Sequence, residues 1–189
     1  MEEQSPLNRF TLVTSSEPKR REIFDILRME LLVSSIDLPE IQSLDLREIL
    51  SRKAREAFDR LKVPVVVEDV SLELSAFKGF PGPLVKWLIK TSGPKGVIAL
   101  CRAVGDMRAR AVCGVLAWDG EREYWAEGAV YGTIADAPRG VSGFGWDPVF
   151  IPAGSECTFA EMTAGEKNSI SHRGKAWRKF GAGLVGGKE

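Results

Sequence analysis

Apolar positions in this chain change their spacing from one segment to the next, and the changes mark out its elements. Phe10-Thr11-Leu12-Val13-Thr14 predicts a first strand, and Ile23, Phe24, Ile26, Leu27 and Leu31 then recur at helical spacing behind Pro18. A strand therefore runs straight into a helix. Leu31 to Ile36 predicts a second strand, and Leu50, Ala54, Ala57, Phe58 and Leu61 form the apolar stripe of a second helix whose other face is charged. Val63 to Val67, interrupted by Pro64, predicts a third strand that ends in Glu68-Asp69. This β-α-β-α-β rhythm is that of an α/β layer.

After Phe80-Pro81-Gly82-Pro83, Leu84 to Ile89 predicts a short helix with Pro83 near its first position, and Pro94 to Val104 predicts another. The middle of the chain changes character. Arg108 to Trp118 and Glu121 to Ala135 are rich in Val, Ala, Tyr and Trp, and the Asp119-Gly120 dipeptide between them predicts a two-residue hairpin. Loops rich in Gly and Pro follow from Ala137 to Gly154, then a helix from about Ala164 to Phe180, then a Gly-rich tail, 181–189, expected to fray. No repeat or long linker interrupts the chain, so residues 1–189 are expected to form one two-lobed domain.

Composition narrows the chemistry. The 189 residues are 44% hydrophobic and 28% charged, ordinary values for a globular domain with one substantial core. Lys plus Arg equals Asp plus Glu, 26 of each, so no global positive field recruits nucleic acid and any phosphate affinity must be local. Cys101, Cys113 and Cys157 are odd in number and lack a C-x-x-C pair, which argues against a disulfide framework or a zinc site and for a reducing cytoplasm. The start, Met1 to Pro6, has neither a basic nor an apolar leader region, and no apolar run approaches the ~20 residues that span a bilayer.

Several segments concentrate polar chemistry. Thr14-Ser15-Ser16-Glu17-Pro18-Lys19 lies where a strand meets a helix N-terminus, where backbone N–H groups, hydroxyls and a lysine can converge on phosphate; the same residues equally suit a capped helix start. Glu68-Asp69 offers hard oxygen ligands to a cation such as magnesium, and period-2 geometry turns only one of the two toward a cleft; a solvated strand end is the competing reading. Lys86 falls in the first turn of a helix, where a cation is disfavoured unless an anion binds nearby; as a surface lysine it would flank Leu84, Val85 and Leu88. Phe144-Gly145-Trp146-Asp147-Pro148 can stack a base and accept a hydrogen bond from its edge, or simply pack as loop aromatics. The only histidine sits in Glu166 to Lys175, where Lys167, His172 and Arg173 supply donors for a ring carbonyl or phosphate, or form a solvated helical face.

In this order, from Thr14 to Arg173, these segments resemble the signatures of the inosine triphosphate pyrophosphatase family, which hydrolyses non-standard purine nucleoside triphosphates. The most specific parts are Val67-Glu68-Asp69 with Gly79 to Pro83 and Lys86, then Phe144 to Pro148, then Thr158 to Met162 with Glu166-Lys167-Asn168 and Ser171-His172-Arg173. The resemblance implies an elongated α/β fold, a mixed sheet with flanking helices and two lobes around a central cleft, usually as a homodimer. It implies that Thr14, Ser15, Ser16 and Lys19 cradle the triphosphate, with Lys53 and Lys86 as further phosphate contacts. Asp69 would bind magnesium and serve as, or position, the base, and Glu40 matches a second metal-associated carboxylate. Phe144, Gly145, Trp146, Asp147, Lys167, His172 and Arg173 match the nucleoside-binding set. The implied reaction is attack of water on the α-phosphorus of ITP, dITP or XTP, giving the monophosphate and pyrophosphate.

The chain departs from the family pattern in two places. Ser15-Ser16 stands where Gly-Asn or Ser-Asn usually follows the threonine, and Val70 and Ser71 replace the usual small neighbours of the aspartate, so the side-chain hydroxyl directly after it is missing. Neither change removes a charge. Two readings of other classes stay open from sequence: a sensor that binds triphosphates without cleaving them, and an RNA-binding protein that uses the basic C-terminal helix, for which the balanced charge is unfavourable.

Overall fold

The computed structural model describes residues 5–186; Met1 to Gln4, most of the start read above as carrying no leader, and 187–189, the last of the tail, lie outside the described residues. Strand β1 (Thr11–Val13) leads into α1 (Glu17–Leu27), which is capped at its start by Ser16 and stopped by Arg28 in the left-handed region. The helix thus ends before Leu31, and β2 shrinks to Val33–Ser34. In α2 (Leu46–Leu61) the Asp45 carboxylate accepts from the N–H groups of Arg47 and Glu48, at 2.8 and 3.2 Å. Its buried stripe of Leu46, Ile49, Leu50, Ala54 and Ala57 faces the sheet.

Strand β3 (Val65–Leu74) is longer than its sequence predicts and carries Glu68 and Asp69 at its centre instead of its end. Pairing explains the length: β5 (Arg108–Trp118) runs antiparallel to all of it, from Val65↔Trp118 to Leu74↔Ala109. Polar residues stay in the strand because its ladder continues through them. After the two-residue β4 (Pro81–Gly82), the two short helices expected there follow back to back as α3 (Val85–Val104), separated at Gly93 (φ +62°), whose backbone is not helical, just before Pro94. Leu84, not Pro83, is its N-cap.

Strands β5 and β6 (Glu123–Ile134) form the hairpin, but its connection is 119–122 and not the Asp119-Gly120 pair alone. The Asp119 carboxylate accepts from the N–H groups of Glu121 and Arg122, at 3.0 and 2.8 Å, and this local bonding holds the longer turn. Strand β7 (Phe150–Pro152) lies within the loop region and pairs with β6. The C-terminal helix is two: α4 (Ala164–Ile170) and α5 (His172–Gly186), broken at Ser171, whose backbone is extended. Residues 181–186, expected to fray, continue α5.

The seven strands make one mixed sheet in the order β2-β1-β3-β5-β6-β7, with β4 on the far part of β3. Three apolar clusters give it two lobes. Where β1, β3 and β5 run side by side, α2 covers one face through Leu50, Val67 and Leu116, and α1 with α5 covers the other through Ile23, Val66 and Trp177. At the opposite end, Leu72, Val97, Phe150 and Phe159 pack α3 against the far halves of the long strands. Leu50 is fully buried, so its truncation to alanine is expected to cost about 2–5 kcal/mol. The cleft lies between the lobes, over the middle of β3. Among the described residues no helix is long and apolar enough to cross a membrane.

Candidate active site

Strand β1 is short, and this opens the site. Leu12 pairs with Val66, and β1 stops at Val13, so Glu68 and Asp69 have no parallel neighbour and face the turn into α1. In that turn Thr14 Oγ1 accepts from the Ser16 N–H at 3.1 Å, and Ser16 Oγ accepts from the Lys19 N–H at 3.4 Å. Ser16 thus acts as the helix cap, which is the bland reading of this motif, and Ser15 is exposed. A recess of about 140 Å³ is nonetheless lined by Thr14, Ser15, Ser16, Lys19 and Lys53, with Asp37, Glu40 and Glu68 also on its wall. Lys53 Nζ lies 2.7 Å from Glu40, to which Lys86 also pairs. Burial pushes the Lys53 ammonium below the usual lysine range.

Alternation along β3 separates its two acids, as period-2 geometry predicts, and Lys19 bridges them. Lys19 Nζ is 2.9 Å from Asp69 Oδ1 and 3.5 Å from Glu68 Oε1. Burial opposes its charge, but the two carboxylates outweigh that and raise its proton affinity. Asp69 is partly exposed in the cleft and also accepts the Val70 N–H, at 2.9 Å, through Oδ1. Among the described residues its Oδ2 makes no hydrogen bond. Glu68 points the other way and is buried: it takes Arg173 Nε at 2.6 Å, Arg173 Nη2 at 3.0 Å and the Trp177 indole N–H at 3.1 Å. Burial pushes Glu68 up, and Arg173 and Lys19 overcome this and hold it well below the ordinary carboxylate range.

At the other end of the cleft the residues expected to meet a base are more buried than a solvated helical face. Arg173 is bound by Glu68 and by Glu22 of α1, and Lys167 Nζ sits 2.6 Å from both Glu22 and Asp147. Glu22, Glu68 and Asp147 balance Lys19, Lys167 and Arg173, so the charges enter the interior paired. Asp147 Oδ2 also accepts the Phe144 N–H at 2.7 Å, which closes the Phe144 to Asp147 loop on itself; burial raises its proton affinity against the pull of Lys167. Trp146 is mostly core, with its ring 5.1 Å from His172 and 5.5 Å from Phe150. Phe144 is the more exposed aromatic, with Lys167 and Arg173 over its ring at 5.2 and 5.4 Å. His172 is buried, and burial with Arg173 and Lys167 beside it holds it well below the usual histidine range, hence neutral; among the described residues its Nδ1 has no partner. Helix α5 can bring this group so near the sheet because a Cβ on Gly128 would sit 2.3 Å from both His172 O and Ala176 N.

The cleft between these ends has a volume of about 350 Å³ and is lined on one side by Lys19, Asp69 and Glu40 and on the other by Phe144 to Asp147, His172 and Arg173. Lys86, Ile89 and Lys90 of α3 supply a wall. Of the residues singled out from sequence, Thr14, Ser15, Ser16 and Lys53 thus line the recess, which shares Lys19 and Glu40 with the cleft, and Lys167 lies just behind the cleft lining. Sequence reasoning passed over Glu22 and Trp177. Helical spacing held the signal: Glu22 is three residues after Lys19, and Trp177 four after Arg173, so each shares a face with a residue already chosen. For magnesium, Glu40 and Asp69 line the same cleft with hard oxygens, a donor set that suits an ion usually held by one or two carboxylates plus substrate phosphates. Among the described residues no cluster of three or more acidic, histidine or cysteine side chains forms a metal cage.

The site is that of a mixed α/β sheet whose central acids and lysines face an aromatic-flanked cleft. The chain belongs to the Ham1 family, whose profile matches residues 10–182. It is 45% identical over 174 residues to inosine triphosphate pyrophosphatase 1 of Trypanosoma cruzi, covering 89% of this chain and 88% of that one. It is 40% identical to the dITP/XTP pyrophosphatase of Thermococcus kodakarensis, covering 91% and 95%. Among solved structures, a HAM1 protein from Coxiella burnetii superposes with a TM-score of 0.81 at 27% identity, covering 93% of this chain and 98% of that one.

Proposed function

We propose that this chain hydrolyses non-standard purine nucleoside triphosphates, ITP, dITP and XTP, to the monophosphate and pyrophosphate. The observation that carries the reading is the two-ended cleft, with hydroxyls and lysines at the α1 end, the Asp69 carboxylate at the middle and the Phe144 to Asp147 loop with Arg173 at the far end. The activities for which relatives that match about nine-tenths of the chain are named support it.

Thr14 to Ser16 and the start of α1 receive phosphate oxygens, and Lys19, Lys53 and Lys86 neutralise them. Water attacks the α-phosphorus in line, the bond from that phosphorus to the bridging oxygen breaks, and pyrophosphate leaves with the electron pair. Asp69 takes the proton of the attacking water on Oδ2, the oxygen Lys19 does not occupy. This chemistry needs positioning and charge stabilisation rather than a covalent nucleophile, so the serines of the site serve as ligands. Glu40 and Asp69 would hold magnesium, which when bound supplies charge neutralisation on the phosphates.

At the base end, a carbonyl at position six accepts from Arg173 or a backbone N–H, and the protonated ring nitrogen at position one donates to Asp147 or a backbone carbonyl. The adenine edge reverses both groups. Arg173 keeps Glu68 and Glu22, and Lys167 keeps Glu22 and Asp147, while their remaining N–H groups meet the base, so no buried carboxylate loses its partner. The free chain is proposed to work in the cytoplasm, as a homodimer, on small-molecule nucleotides. The reading is tested by incubating the protein with magnesium and ITP and separating pyrophosphate from orthophosphate. Orthophosphate as the first product would place cleavage at another bond, and tight binding without turnover would make the chain a sensor.

A further inference from the structure

Cations line both compartments of the cleft, and most are already committed to a carboxylate of the chain. Lys19 faces Asp69 and Glu68, Lys53 and Lys86 face Glu40, and Arg173 is held by Glu68 and Glu22. Lys90 differs. It lines the larger compartment, makes no ion pair among the described residues, and holds its ammonium 5.6 Å from the centre of the Trp87 ring. An anion that meets Lys90 therefore finds a full positive charge, whereas the charge of each of the other cations is already offset by a carboxylate of the chain.

Position selects which anion that is. Lys86 and Lys90 are one helical turn apart on the same face of α3, so Lys86 reaches the Glu40 side and Lys90 lies farther along the wall, beside Ile89. Lys90 does not line the recess of Thr14 to Ser16 and Lys53 that suits the triphosphate; it lines the compartment that holds Phe144 and Trp146. The acids of that compartment, Glu40, Asp69 and Asp147, are each tied to another lysine, which leaves the Lys90 charge uncompensated from across the cleft.

We infer that Lys90 is a specificity-determining residue that favours a purine base carrying a negative charge. Among the deaminated bases this is xanthine, whose carbonyls at positions two and six let the ring lose a proton just below neutral pH, whereas hypoxanthine and guanine remain neutral. The inference rests on the reading of the cleft as a purine nucleotide site. Lys90 is exposed, so the contribution is that of a solvated ion pair, a factor of about three to five in preference.

The test compares XTP with ITP, which differ in the charge of the base and not in the phosphates. For Lys90→Met the ratio of kcat/KM for XTP to that for ITP falls about three- to fivefold, and Lys90→Arg keeps it. Added salt erodes the ratio of the wild type and leaves that of Lys90→Met flat. Calorimetric binding of xanthosine and inosine monophosphates reads the same ratio without turnover, so a failed reaction and a failed inference are told apart. An unchanged ratio in Lys90→Met overturns the inference, and so does an equal loss for both substrates, which would assign Lys90 to the triphosphate.

Discussion

Glu68→Gln is the sharpest probe of the charge cluster under the cleft. The glutamate is 5% exposed and accepts two bonds from Arg173, itself 2% exposed, one from Trp177 and the approach of Lys19. The amide keeps the shape and one acceptor oxygen but removes the charge, and Arg173 is left with Glu22 alone. Breaking a buried pair from one side costs about 3–5 kcal/mol, and the surviving Glu22 contact places this case near ~3 kcal/mol. For a domain of this size each kcal/mol moves the midpoint by about 2–4 °C, so Tm falls by about 6–12 °C at pH 7. Burial raises the Glu68 proton affinity, but Arg173 and Lys19 lower it further, so its folded pKa is depressed; the stability it supplies is present above the unfolded value of 4.5 and is lost as pH falls through the lower folded value. The deficit of the variant is thus constant above about pH 5.5 and narrows under acid. Glu68→Leu/Arg173→Leu, which removes both charges, recovers at least half of the loss because no unpaired charge stays buried. Differential scanning calorimetry of the wild type and the two variants checks this: a drop below about 2 °C for Glu68→Gln, or a double variant that recovers less than half of that drop, would contradict it.

Asp69→Asn is expected to cut turnover at least ~100-fold with Tm nearly unchanged, since the swap is isosteric and the residue is partly exposed; wild-type rates at saturating magnesium would remove Asp69 from the chemistry. Burial, with Arg173 and Lys167 beside it, depresses the His172 pKa, so the stability tied to its neutral form is present above the ordinary value of 6.5 and is lost as pH falls below it. His172→Phe fills the space beside Trp146 and Phe159 without a titrating group, and its Tm between pH 7 and pH 5 should vary less than that of the wild type; parallel curves would contradict this. Cys101, Cys113 and Cys157 are free, so light scattering should give a dimer whose mass ignores dithiothreitol; a monomer would remove the homodimer, and dissociation on reduction would mean a disulfide holds it.

What the sequence makes legible here depends on how local the cause is. Helices α1 and α2 announce themselves through spacing and caps, because a helix closes its hydrogen bonds within its own segment. Strand β3 does not: Glu68 to Leu74 look like the end of a strand until β5 supplies a partner for each of them, and that partner lies some forty residues on. In α3 the cause is local and the break is legible: Gly93, whose backbone is not helical, stands just before Pro94 and separates two helices near the boundary the sequence predicts. In the site, charge and aromatic content single out the right segments, and distance decides their state. Nothing local in Ser171-His172-Arg173 says that Arg173 is bidentate on Glu68, 105 residues away, or that His172 is buried. Gly128 is equally silent in sequence, since its lack of a Cβ matters only because α5 crosses there.

As proposed, the cleft reads the six and one positions of a purine and delivers its α-phosphorus to water. The most direct measurement is a steady-state comparison of ITP, XTP, GTP and ATP with magnesium, with pyrophosphate quantified as product. Pyrophosphate release is expected with kcat/KM for ITP and XTP about 100-fold above ATP, the scale on which a pocket with buried polar groups rejects a ligand that leaves them unpaired. Equal values for ITP and ATP would contradict the base pocket described here, even if pyrophosphate were the product.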